Sequence, residues 1–344
     1  MKIKILSTIL ISIPLLTACN VGGALASSAM DIVRNPQTDV GKQVMGSYSS
    51  KLKNLEFTCV KEQFPSLPQE ADQLYRYALY HDFKNRWLPK PGVLDRYLPY
   101  YRIAAANGHW QANLTLQEIL LKSKDINIET RERRGEGIYW NEKLMKILPA
   151  SAHYWWSLYI DVGYGPKHGA DDSLIYLRKA ADLGNAKAQS EVAELLMKIQ
   201  DDSSHTFRLG LTNKMRTCAA NQDRPDGMAG RMMAAFWNNA KDYGTAVNFY
   251  HQSIKAGESS SALVLSRAFA TNDAKGKYKS WGMVEDEERS RRYDAIRDFL
   301  WKNAHLKPEL NVHDLDDIVP LPPAKLPSWD GKIAIQRFEE GPAP

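Results

Sequence analysis

One pattern recurs along most of this chain and limits what it can fold into: a helix opening on a small residue, a glycine or polar break, then a second helix rich in small residues. The clearest copy runs from Ser151 to Leu196. It reads Ala152-His153-Tyr154-Trp155-Trp156-Ser157-Leu158-Tyr159, breaks at Gly163-Tyr164-Gly165-Pro166-Lys167, and resumes at Leu174-Ile175-Tyr176-Leu177-Arg178-Lys179-Ala180-Ala181-Asp182-Leu183-Gly184. First helices open at Ala71, Ala112, Ala152, Ala188, Ala229 and Ser261, which are 41, 40, 36, 41 and 32 residues apart. Second helices are expected near Leu94 to Ala106, Tyr139 to Leu148, Asp171 to Leu183, Leu209 to Ala220, Tyr243 to Ala256 and Arg289 to Leu300. A helix pair of this size cannot bury its apolar face alone, so such units stack into an array.

Small residues let neighbouring helices approach closely, and Ala104-Ala105-Ala106, Ala180-Ala181 and Cys218-Ala219-Ala220 supply those contact points. Gly108, Gly184 and Gly257 follow their helices where a left-handed C-terminal cap is expected. The repeating unit resembles the Sel1 repeat, a relative of the tetratricopeptide repeat, over most of residues 68–302. It departs from that pattern where Sel1 repeats carry Leu-Gly inside the first helix; here those places hold Trp156-Ser157, Val192-Ala193, Met233-Ala234 and Leu265-Ser266. The resemblance implies an all-α fold, a right-handed superhelical solenoid of about six helical hairpins.

The first residues carry a different message. Lys2 and Lys4 precede an apolar run from Ile5 to Leu16, the charged and hydrophobic parts of an export signal, too short to span a bilayer as a mature helix. Two cleavage sites compete: Leu16-Thr17-Ala18-Cys19 reads as a lipobox and Ala24-Leu25-Ala26 as an ordinary signal-peptidase site. The apolar run stops at the distance a lipobox needs, which favours residues 1–18 as signal and Cys19 as the lipidated N-terminus. Resemblance to bacterial lipoproteins then implies an acylated Cys19 anchored in the membrane. By the same resemblance Asn20 favours the outer membrane, with the protein facing the periplasm. Residues 19–67 form a tether and leading segment before the solenoid at 68–302.

Losing Lys2 and Lys4 lowers the formal charge from +5 to +3, and the basic residues are interspersed with acidic ones. Nucleic-acid binding is disfavoured by that distribution. With Cys19 lipidated, Cys59 and Cys218 remain in an oxidising compartment, where an even count favours a disulfide; the alternative is two buried thiols.

After Leu306 the helical period stops, and Ile318-Val319-Pro320-Leu321-Pro322-Pro323-Ala324-Lys325-Leu326-Pro327-Ser328-Trp329-Asp330-Gly331 predicts an extended, polyproline-like path within a module at 303–344. This stretch resembles the C-terminal module of a group of Gram-negative Sel1-repeat lipoproteins.

The common hydrolase, zinc and nucleotide motifs do not occur, and Gly163-Tyr164-Gly165 lacks both the preceding strand and the following Lys-Ser or Lys-Thr of a phosphate loop. No catalytic residue, metal ligand set, cofactor or small-molecule substrate is expected. His313, Asp314, Asp316 and Asp317 form the densest group of possible ligands, read as a solvated turn in preference to a cation site. The run from Glu285 to Arg292 reads as a salt-bridged helix face.

In solenoids of this kind the first helices line the concave surface. Counting three and seven residues from the opening small residue selects Trp155 and Tyr159, Glu191 and Leu195, and Met232 and Phe236 as a partner-binding groove, with Trp156 and Ile160 inward. Thr115 and Ile119 occupy the same places one copy earlier. Some Sel1-repeat lipoproteins are immunity proteins against type VI secretion lipase effectors, so the resemblance implies a non-enzymatic, envelope-anchored binder of another protein, a secreted lipase. The competing expectation is a periplasmic scaffold or regulator of envelope assembly or stress signalling.

Overall fold

A computed structural model describes residues 56–344 apart from 88, 123–129, 166–168, 170, 271–280, 282 and 304–311. The signal, Cys19 and the rest of 1–55 lie outside the described residues. Fourteen α-helices and one short 3-10 turn are present among the described residues, and no strand is. No helix among them is long and apolar enough to cross a membrane.

Twelve of the helices pair into six consecutive hairpins. They are α1 (Gln69–Asn85) with α2 (Val93–Ala106), α3 (Trp110–Lys122) with α4 (Thr130–Leu144), and α5 (Pro149–Asp161) with α6 (Asp172–Asp182). Next come α7 (Ala186–Lys198) with α8 (His205–Ala220), α9 (Gly227–Asn239) with α10 (Tyr243–Lys255), and α11 (Ser259–Phe269) with α12 (Glu287–Lys302). Each hairpin also packs on its successor, which makes the molecule a helical solenoid. Its core is accordingly a chain of clusters between helices, not one centre.

All six opening residues, Ala71, Ala112, Ala152, Ala188, Ala229 and Ser261, are buried. In three of these helices a side chain just ahead caps the first turn, in which the opening residue sits. Asn185 accepts from the Ala188 N–H at 2.9 Å and Asp226 from the Ala229 N–H at 2.7 Å. The same task falls to His109, whose Nδ1 accepts from Ala112 at 3.0 Å. Five second helices lie close to their expected positions. The exception is α4, which begins at Thr130 and ends at Leu144 where Tyr139 to Leu148 was expected.

A strap, residues 56–67, precedes α1 and runs along the ends where the first helices begin. Cys59 is joined to Cys218 on α8, so the expected disulfide is formed, with the two Cα atoms 5.6 Å apart. The Val60 carbonyl accepts from Gln189 at 3.0 Å and Gln222 at 2.9 Å. Gly184, at φ +108°, has no room for a side chain, because a Cβ there would stand 2.6 Å from the Glu62 nitrogen. Glu62 itself is buried and caps α5, a helix with no side-chain cap of its own: its carboxylate accepts from the Ser151 N–H at 2.7 Å and the Ser151 hydroxyl at 2.8 Å. Burial raises the Glu62 carboxyl above its ordinary range, and these hydrogen bonds oppose the shift. Farther on, Trp110 donates to the Pro65 carbonyl at 2.9 Å.

The proline-rich stretch carries no helix over residues 319–333, as expected, but the module around it is not a free tail. It holds α13 (Leu315–Ile318) and α14 (Ala334–Glu340), and it folds back on the solenoid. Asp316 lies 2.7 Å from Nε2 of buried His251, whose Nδ1 is 2.9 Å from the Tyr293 hydroxyl, and Lys255 also pairs with Asp316. Asp314 accepts from the Ala334 N–H, so Asp314 and Asp316 fasten the module from a turn whose His313, Asp316 and Asp317 stay exposed, as expected. Glu288 does pair with Arg291 and Arg292 as a helix face should. Yet Arg292 is buried and donates to the carbonyls of Ile318 (2.6 Å) and Pro327 (2.8 Å), while Arg289 reaches those of Pro320 and Ala324. A proline-rich segment offers many carbonyls and few N–H donors, which is why arginines bind it.

Finally α14 meets α1. Arg86 pairs bidentately with Glu339 at 2.7 Å, Tyr80 donates to the Gly341 carbonyl, and Phe338 sits edge-on to Tyr80 and Phe83. Arg86 also reaches Asn303 beyond α12, so the first and last hairpins are joined.

Candidate partner-binding face

The first helices present a continuous face, and its character changes along the array. At α5 the expected groove residues are core. Trp155 is 7% exposed and packs with Trp110, Leu144 and Leu148; Tyr159 is fully buried and donates to Gln117 on α3 at 3.2 Å. Tyr159 also lies against Gly137 of α4, where a Cβ would come within 2.5 Å of its hydroxyl. Thr115 and Ile119 are buried as well. These positions point back toward the preceding first helix, and between α3 and α5 the helices and the strap residues Phe64 and Leu67 enclose them. Trp155 and Tyr159 are therefore corrected from groove to core. Trp156, expected inward, is half-buried, whereas Ile160 is buried as expected.

The residues that do reach the face from α5 are Tyr154 and Leu158, both half-buried, one position earlier in the sequence. One residue is a rotation of about 100° around a helix, enough to exchange core for surface. Two and three repeats beyond α3, the positions originally selected stay open. Glu191 and Leu195 on α7, and Met232 and Phe236 on α9, are half-buried, and Met228 at the start of α9 is 41% exposed.

Polar groups join these helices. The Tyr154 hydroxyl donates to Glu191 Oε1 at 2.8 Å, bridging α5 and α7. Lys187 stands 3.5 Å from Asp226, bridging α7 and the cap of α9. Burial raises the Glu191 carboxyl above its ordinary value, and Lys187 pulls the other way. The Tyr154 phenol is raised too, by burial first and then by the carboxylates of Glu191, Asp226 and Glu118. On the other side of α5, burial pushes His153 down to about 4, aided by Lys179, so it is neutral at physiological pH. Among the described residues no group of histidines, cysteines and acids is arranged to hold a metal ion.

Tyr154 and Met228 were not selected from the sequence, although an offset of one residue in the helical count would have found Tyr154. Glu62 carried no signal at all, because its partners lie 89 and 123 residues away.

A six-hairpin solenoid with a strap and a folded-back C-terminal module is the class of protein that this architecture defines. Residues 261–344, which take in most of α11, all of α12 and the module, match the family model described as Domain of unknown function (DUF6396). No curated protein matches the chain. Among solved structures it is similar to Pseudomonas aeruginosa 5086 (PA5086), at 26% identity and a TM-score of 0.55, over 78% of this chain and 95% of that one. It is also similar to immunity protein PA5088 from Pseudomonas aeruginosa, at 25% identity and a TM-score of 0.54, over 78% of this chain and 94% of that one. Immunity protein Pa5087 from the same organism, at 24% identity and a TM-score of 0.53 over 78% and 95%, shares the fold.

Proposed function

We propose that this chain is an immunity protein that neutralises an antibacterial effector by binding it, and that the open stretch of the first-helix face is where it binds. The observation that carries the reading is the likeness to immunity protein PA5088 along nearly the whole length of that protein. A solenoid suits such a task, since it offers a broad surface whose shape is set by packing between repeats. Binding would use Tyr154, Glu191, Leu195, Met228, Met232 and Phe236. In this proposal the effector is a type VI secretion phospholipase, and acylated Cys19 holds the protein in the outer membrane, facing the periplasm where such an effector arrives.

The test is protection. A susceptible strain that makes this chain should survive a periplasm-directed phospholipase effector encoded beside its gene, and the two purified proteins should form a stable complex. Growth arrest despite normal expression, with no complex, rejects the proposal. Replacing Cys19 with Ala should release the protein from the membrane fraction; unchanged fractionation and no fatty-acid labelling would reject the anchor alone.

A further inference from the structure

The open stretch of the face holds one carboxylate whose surroundings say what should cover it. Glu191 takes a hydrogen bond from Tyr154 through Oε1, and among the described residues no cation lies within ion-pairing distance of it. The neighbouring cations act on Glu191 through their field or pair with other acids, and none is bonded to it: Lys187, one turn back, lowers its pKa from a distance, and half-buried Arg216 faces Glu194. Lys187 pairs with Asp226, Lys198 with Glu194 at 2.7 Å, and Arg231 with Glu258 at 3.7 Å. Between these charged groups, apolar side chains flank Glu191. The Tyr154 ring and Leu195 pack on the cluster beneath, while half-buried Met232 and Phe236 and exposed Met228 follow on the next first helix.

A carboxylate drawn partly out of water with no cation bonded to it is costly, and the cost rises when a partner covers it with neutral or acidic groups. A cation from the partner removes that cost, and its flanking apolar groups gain from covering the methionines and Phe236. We propose that the face between α5 and α9 takes an apolar segment of a partner protein carrying one arginine or lysine, whose cation pairs with Glu191. The proposal rests on the protein-binding reading but not on the identity of the effector.

The experiment uses two matched probes, 4-methylphenylguanidinium and the uncharged 4-methylphenylurea, titrated into the full mature protein and followed by NMR. The guanidinium should bind about tenfold or more tightly than the urea, as a charge-assisted hydrogen bond in a half-buried site provides. In Glu191→Gln, whose amide still accepts from Tyr154, the difference should vanish. Met228→Ser should weaken both probes alike and serves as the control if Glu191→Gln unfolds. Equal affinities in the wild type, or a cation preference that survives Glu191→Gln, overturns the proposal. Loss of protection with the guanidinium preference intact would reject the immunity reading alone.

Discussion

Two stretches of one face, built from the same repeat position, have opposite fates. Three and seven residues past the opening alanine, α5 carries Trp155 and Tyr159, which are core, while α7 and α9 carry Glu191, Leu195, Met232 and Phe236, which are half-buried. Between α3 and α5 the strap adds Phe64 and Leu67, and aromatic bulk fills the gap between hairpins. Between α5 and α9 polar bridges take over, through Tyr154 to Glu191 and Lys187 to Asp226. The array is thus sealed at one end of the face by large side chains and left accessible at the other, where a partner can compete for surface. Repeat position alone does not decide burial; what fills the space between repeats does.

The largest effect should come from releasing the strap that seals the closed stretch. Replacing Cys59 and Cys218 by Ser opens a loop with a sequence separation of 159, so denaturant unfolding should show a loss of about 5 kcal/mol in the entropic model. A loss below about 1 kcal/mol would mean that Glu62 and its hydrogen bonds hold the strap by themselves. Trp155→Ala should cost about 3–5 kcal/mol, the usual loss for a large buried aromatic. Were Trp155 to line a free groove, that variant would melt almost as the wild type does. Tyr159→Phe is milder: it leaves Gln117 without its donor, for about 1–3 kcal/mol.

The parts of this architecture that could be read from the sequence are those set by neighbours in the chain. Small opening residues, 32 to 41 positions apart, mark places where helices touch, and five of six second helices follow from them. The missed boundary is α4, where Arg131 to Glu136 is charged and Gly135 and Gly137 interrupt the apolar period. One of those glycines has a cause outside its own helix, since Tyr159 occupies the space a side chain at Gly137 would need. The same limit applies to Arg289 and Arg292. Their spacing reads as a helix face, and nothing local shows that the carbonyls of Ile318, Pro320, Ala324 and Pro327 will come to them. The groove was misplaced at α5 for a smaller reason, a single residue of helical phase, and was otherwise selected at positions that remain accessible.

The smallest change in stability, and the one that most sharpens the contrast, is expected on the open stretch. Phe236 is half-buried and touches the ring of Trp237 edge-on, with centroids 5.3 Å apart. Half of a phenylalanine's apolar area is worth about 1 kcal/mol, so Phe236→Ala should move the unfolding midpoint only slightly. Its effect on protection should be out of proportion to that. An aromatic anchor removed from the middle of an interface costs about 2 kcal/mol or more, which is roughly a thirtyfold weaker complex. Leu195→Ala should behave likewise, with less lost on both counts because its area is smaller. The contrast with Trp155→Ala is then a double dissociation, one variant losing the fold and the other losing the partner. If Phe236→Ala destabilises the protein as much as Trp155→Ala does, the face is closed throughout and binding must use other surfaces, such as the seam where α14 meets α1.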